Sequence, residues 1–98
     1  MAWFTVETIY AEDRDKLAAV RPHHREYLQG LAGEGKVTGA GPWSDDTAGF
    51  AVYQVADRAE LDRLLDEDPY TTGGVARERA IHEWKLVIGE WAPGQNDQ

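Results

Sequence analysis

Aromatic, β-branched and polar residues alternate along Trp3-Phe4-Thr5-Val6-Glu7-Thr8-Ile9-Tyr10. Phe4, Val6 and Thr8 fall on one face, and Thr5, Glu7 and Ile9 on the other. A period of two in residues of this kind predicts a strand from Trp3 to Tyr10. Asp13 to Val20 is polar first and apolar later, which predicts a short helical turn entered through Asp13 or Asp15. Proline lacks a backbone N–H and fits only the first turn of a helix, so the main first helix is expected to begin near Arg21 or Pro22. Tyr27, Leu28 and Leu31 would form its inward face. Gly33 and Gly35 would end it by offering a left-handed cap.

A second strand is predicted at Lys36 to Gly41, stopped by Gly41-Pro42, followed by a solvated loop from Trp43 to Thr47 that contains Asp45-Asp46. Phe50, Val52-Tyr53 and Val55 mark a third strand over Ala48 to Val55. Asp57, with Glu60 three residues on, forms a capping box for a second helix whose buried stripe is Leu61, Leu64 and Leu65. That helix ends before Asp68-Pro69, because proline disfavours helical geometry in the residue before it. After a break at Gly73-Gly74, a long last strand is expected from Arg77 to Ile88, with Ile81, Glu83, Lys85 and Val87 opposite Ala80, His82, Trp84, Leu86 and Ile88. Residues 1–91 form one domain in this scheme. The polar tail Ala92 to Gln98 is expected to be disordered.

The order βαββαβ predicts an α+β fold of ferredoxin-like topology: a four-stranded antiparallel sheet with two helices on one face. Trp3, Phe50, Tyr53 and Trp84 supply more apolar surface than two short helices can cover. A homodimer formed sheet to sheet, with a cleft, is the expected solution.

Ten lysines and arginines against 18 aspartates and glutamates leave a net charge of −8. Such a chain is poorly suited to nucleic acid or to anionic membrane surfaces, both of which reward cationic proteins. Cysteine is absent, which excludes thiolate chemistry and disulfides. Met1 to Tyr10 has no basic region followed by an apolar run, so a secretory signal is not expected, and no stretch approaches the roughly 20 apolar residues of a membrane span. The cytoplasm is therefore the expected compartment.

The candidate chemistry lies in Arg21-Pro22-His23-His24 and Asp68-Pro69-Tyr70. A carboxylate beside an imidazole orients the ring and stabilises its charged form, which makes His24 and Asp68 a candidate acid/base pair. In the first turn of its helix, His24 would also feel a dipole that favours the neutral ring. The plainer alternative is that His24 caps local backbone and Asp68 merely ends a helix. Arg21 could clamp an anionic group on a substrate or pair with Glu26 or another acid. Tyr70 and Tyr10 could contact substrate or simply pack. Ser44, the single serine, could approach the cleft, but nothing ties it to a histidine. His23 points about 100° away from His24 on a helix, so the two cannot share an ion, and no metal site is expected. Gly39-x-Gly41 lacks the third glycine and the helix of a nucleotide loop.

Taken together, Arg21-Pro22-x-His24, Gly35, Gly41-Pro42, Gly49-Phe50, Asp68-Pro69-Tyr70, Gly74-Val75 and Trp84 resemble the YciI-like (YCII-related) proteins, a group of small dimeric α+β barrels. The resemblance runs from Tyr10 to Trp84 and implies an active-site histidine and aspartate at His24 and Asp68. It further implies action on chlorinated or lactone intermediates of aromatic breakdown by proton abstraction and elimination, as in some members of that family. Muconolactone isomerases and small monooxygenases share the architecture but not these motifs. The expected function is cofactor-independent proton transfer, a lyase or isomerase reaction or a dehydrohalogenase-like elimination, on a small anionic ring compound. The alternatives are a non-catalytic small-molecule-binding or regulatory module using the same cleft and, on architecture alone, a cofactor-independent monooxygenase.

Overall fold

A computed structural model describes residues 1–92. Its strands β1 (Ala2–Tyr10), β2 (Val37–Pro42), β3 (Ala48–Val55) and β4 (Ala76–Glu83) form one sheet in the order β2-β3-β1-β4, with every neighbouring pair antiparallel. Helices α1 (Arg14–Gly33) and α2 (Arg58–Glu67) pack on one face, and a single helical turn, α3 (Pro69–Thr72), follows α2 before β4. This is the expected ferredoxin-like α+β fold. Phe4 and Val6 of β1 and Tyr53 and Val55 of β3 meet Leu28 and Leu31 of α1 and Leu61, Leu64 and Leu65 of α2 in the main core. Fully burying one such leucine contributes about 1.5–3 kcal/mol.

The first helix departs from expectation. It begins at Arg14, capped by Asp13, whose carboxylate accepts the Lys16 N–H at 3.0 Å, and it runs straight through Pro22. Leu17, Arg21, His24, Leu28 and Leu31 explain why, because they form one stripe at spacings of four and three residues across the proline. Pro22 lies about 140° from Leu17 around the axis and is exposed. The carbonyl its ring leaves unbonded can therefore turn to solvent. Gly35, at φ +80°, ends the helix. Its N–H reaches Ala32 O at 3.0 Å and the Lys36 N–H reaches Leu31 O at 2.9 Å, the paired bonds of a left-handed cap.

Asp57 caps α2 through the Glu60 N–H at 2.9 Å. The Glu60 carboxylate reaches back one residue further than a standard capping box, to the Ala56 N–H at 2.7 Å. The last strand is shorter than its alternation predicts. β4 pairs only with β1, from Tyr10↔Ala76 to Phe4↔Glu83, and β1 begins at Ala2. Beyond the Trp84 N–H, which binds Trp3 O at 2.8 Å, no strand is left to pair with, so Trp84 to Ile88 leave the sheet. Trp91 then stacks on Trp3, with ring centroids 6.3 Å apart, and Ala92 is buried rather than part of a polar tail. The rest of the expected disordered tail, residues 93–98, lies outside the described residues.

On the sheet face away from the helices, Phe50 stacks with Trp43 at 5.3 Å. Trp43, Trp84, Trp91, Val87 and Ile88 are all exposed. Tyr53, in contrast, belongs to the helix-side core. Among the described residues no helix is long and apolar enough to cross a membrane.

Candidate active site

The α1 stripe that buries Leu17 and Leu28 also carries Arg21 and His24 to the inner side of the helix. Asp68 arrives from the junction of α2 and α3, where its extended backbone (φ −65°, ψ 130°) ends one helix and caps the next. Its Oδ1 accepts the Tyr70 N–H at 2.8 Å and lies 2.7 Å from His24 Nδ1. An ionised carboxylate only accepts, so Nδ1 carries the proton in this contact and Nε2 is the ring nitrogen left for other partners. Asp68 is 2% exposed. Burying a carboxylate this deeply is costly unless it is paired and hydrogen-bonded.

A third partner completes the pairing. Arg79 of β4 places Nη2 3.6 Å from Asp68 Oδ2. Its Nη1 donates to Thr71 Oγ1 at 2.6 Å and its Nε to Thr8 Oγ1 at 3.2 Å. Sequence reasoning passed over Arg79. The signal was its position two residues before Ile81, a charge on the inward phase of a strand.

The Tyr70 ring lies flat on the His24 ring, with centroids 3.6 Å apart and planes within 2°. Its edge meets Tyr10 at 5.5 Å. The Tyr70 hydroxyl accepts from Arg21 Nε at 3.1 Å, so Tyr70 both packs and bonds. The Arg21 guanidinium also sits 5.8 Å from the centre of the Tyr10 ring. Arg21 pairs not with Glu26 but with Asp46, Nη2 to Oδ1 at 2.7 Å and Nη1 to Oδ2 at 3.3 Å. Asp46, in the β2–β3 turn read from sequence as solvated, also holds Arg14 at 2.7 Å. The hydrogen bond from Arg21 holds the Asp46 carboxyl below its usual range, and the same contact raises the guanidinium further above its own. Burial, aided by the neighbouring Tyr70, pushes the Tyr10 phenol upward.

One cavity of about 360 Å³ lies between α1 and the sheet, closed in part by Leu28 and the small residues of β2. That volume falls in the range of small-molecule sites, about 300–1,000 Å³. Tyr10, Arg21, His24, Asp68 and Tyr70 all face it. Ser44 does not: it is exposed in the β2–β3 turn and is not part of the lining. The long α1 also removes the dipole expected at His24. The positive end lies at Asp13, near Arg14 and Asp15, and its influence fades within one turn. His23 and His82 are exposed, and among the described residues no three histidine or carboxylate side chains converge on a metal-sized site.

The model of the YCII-related domain matches residues 2–85. The chain belongs to the YCII-related family. Among solved structures, this YCII-related chain is similar to a 5-chloro-2-hydroxyhydroquinone dehydrochlorinase from Burkholderia phenoliruptrix, in complex with 2,5-dihydroxybenzoquinone. Identity there is 20%, the match covers 92% of this chain and 98% of the other, and the TM-score is 0.75. An antibiotic biosynthesis monooxygenase is similar at 15% identity over 90% of this chain and 100% of the other, with a TM-score of 0.61. At these identities the likeness is one of fold. A search of the curated proteins finds no match.

Proposed function

We propose that the protein is a cofactor-independent enzyme of proton transfer, acting on a small anionic ring compound by dehydrohalogenase-like elimination or isomerisation. The observation that carries this reading is the 2.7 Å contact between His24 Nδ1 and the buried Asp68 carboxylate at the wall of the cavity. Asp68 fixes the ring orientation and tautomer, and Nε2 of His24 accepts a proton from a ring hydroxyl or ring carbon. In an elimination from a halogenated hydroxyhydroquinone, the halogen-bearing carbon gains a proton as one ring hydroxyl loses its own, giving the keto form; His24 Nε2 then takes the proton of a second hydroxyl, whose O–H electrons move through the ring as the halide leaves with the carbon–halogen pair. The net change is loss of hydrogen halide, which needs no external oxidant. Arg21 and Tyr10, which line the cavity, would contact an anionic oxygen on the ring. The dehydrochlorinase of the same fold supports this class of substrate.

Two further elements belong to the same reading. Exposed Trp43 stacked on Phe50 gives the outer sheet face an apolar patch suited to a second copy of this chain. A cysteine-free acidic chain of this kind would work in the cytoplasm.

Chlorinated hydroxyhydroquinones are the substrates to try first, with chloride release and quinone absorbance as readouts. Wild type should release chloride, and His24→Ala should lose roughly 10²–10⁴-fold in rate, the usual contribution of a general base. Full activity in His24→Ala, or no turnover by wild type of either halogenated or lactone ring substrates, would overturn the proposal.

A further inference from the structure

The β2–β3 turn reaches Arg21, on the cavity wall, through Asp46, which the function above leaves unused. Its geometry is built locally. Asp45 Oδ1 accepts the Thr47 N–H at 3.1 Å and the Thr47 hydroxyl at 2.7 Å, the Asp46 N–H reaches Trp43 O at 2.9 Å, and Asp46 sits at φ +60°. It is the one non-glycine residue with positive φ among the described residues. Aspartate tolerates this region better than most residues, at a modest cost. The conformation aims the carboxylate between Arg14 and Arg21, and Arg14 Nη1 also donates to the Asp46 carbonyl at 3.0 Å.

The consequence appears at Tyr70. With two guanidinium nitrogens engaged by Asp46, Arg21 points its Nε–H at the Tyr70 hydroxyl, 3.1 Å away. A phenol that accepts a charge-assisted hydrogen bond keeps its own proton for donation, and that donation is strengthened by the cation behind it. Tyr70 lines the cavity and lies flat against the ring of His24.

We propose that Asp46, Arg21 and Tyr70 form a relay in which Asp46 is a positioning residue. It fixes Arg21 so that the Tyr70 hydroxyl donates to an oxyanion of the ring compound in the cavity. The inference rests on the functional reading above and adds a donor for the negative charge that develops when His24 takes a proton.

The test uses 2,5-dihydroxybenzoquinone as an acidic ring probe, followed by quenching of tryptophan fluorescence in the intact chain. Relative to wild type, Asp46→Asn and Tyr70→Phe should each weaken binding about tenfold, about 1.4 kcal/mol. The double variant should be no weaker than either single one, and Asp46→Glu should recover part of the loss. Near-UV circular dichroism of each variant reports whether the fold survives, and the conservative Asn and Phe changes are chosen so that it does. Binding by wild type with additive losses, with no loss, or with tighter binding in Asp46→Asn overturns the relay and leaves the enzyme reading intact. Tighter binding would mean that Asp46 competes with the ligand for Arg21. Failure of wild type to bind any acidic ring compound overturns both.

Discussion

Arg79 Nη2 stands 3.6 Å from Asp68 Oδ2, so the middle of β4 supplies the cation for a carboxylate held at the α2–α3 junction. Two hydroxyls, Thr8 and Thr71, hold the guanidinium in place. Removing one member of a buried charge pair leaves the other uncompensated, at a cost of roughly 3–5 kcal/mol. Arg79→Met should approach that loss in urea unfolding, and Arg79→Lys should recover part of it. A loss under 1 kcal/mol in Arg79→Met would show that Asp68 does not depend on it.

The contact of Asp68 with Nδ1 should also set which nitrogen of His24 carries the proton. Ring ¹⁵N shifts of wild type, at a pH where the ring is neutral, should report protonated Nδ1. Asp68→Asn should shift the population toward protonated Nε2, the nitrogen that must be free to act as base. Turnover in that variant should fall at least tenfold; an unchanged tautomer with unchanged turnover would dissolve the pair.

Gly49 leaves room for Tyr10. A Cβ at position 49 would lie 2.6 Å from the Tyr10 hydroxyl, closer than any tolerated contact. Gly49→Ala should therefore displace the Tyr10 ring from the cavity wall and cost about 1–3 kcal/mol by overpacking. Thermal unfolding reads the stability, and probe affinity reads the moved ring. An unperturbed Tm with unchanged affinity would mean that Tyr10 yields freely.

Alkaline pH should unfold this protein through its phenols. Burial pushes Tyr10 and Tyr53 up, and pushes Tyr27 up to about 12. A group whose folded pKa exceeds its unfolded value, near 10 for tyrosine, stabilises the fold fully below the unfolded value. That contribution is lost as pH rises through the folded value. Phenolate absorbance should therefore lag behind free tyrosine above about pH 10 and then rise together with loss of circular dichroism. Early, separate ionisation of all the phenols would contradict the burial of Tyr53.

Asp46 titrates the other way. Its carboxyl is depressed, so the contacts it makes are fully present above the usual aspartate value of about 3.9 and are lost as pH falls through its lower folded value. Carboxyl ¹³C shifts should place its midpoint below that value in wild type, and Arg21→Met should move it back up.

On the outer sheet face, Phe50→Glu tests the pairing of two copies. Sedimentation should show a dimer for wild type and a monomer for the variant with its circular dichroism retained. A wild-type monomer at micromolar concentration would remove the proposed interface.

Much of the fold was legible in the chain because its signals are local. The alternation in Trp3 to Tyr10, the caps at Asp57 and Gly35 and the leucine stripe of α2 each depend on neighbours within a turn or a strand. Pro22 misled because its local preference was outweighed by a longer pattern. The stripe Leu17, Arg21, His24, Leu28, Leu31 contains two polar residues and so does not read as an apolar face until the cavity it lines is known. The end of β4 was overrun because alternation continues past the point where β1 stops offering partners.

Periodicity, composition and residue type suffice for the topology, the caps, the absence of thiol chemistry and the candidacy of His24 and Asp68. That His24 and Asp68, 44 positions apart, touch at 2.7 Å emerges from packing and from nothing local. Packing alone brought Arg79 under the carboxylate and Asp46 onto Arg21, while leaving Ser44 outside the cavity. The physical reason is that helix and strand signals act over a few residues. A buried ion pair and its cavity are fixed by which faces of distant elements the packing turns toward one another.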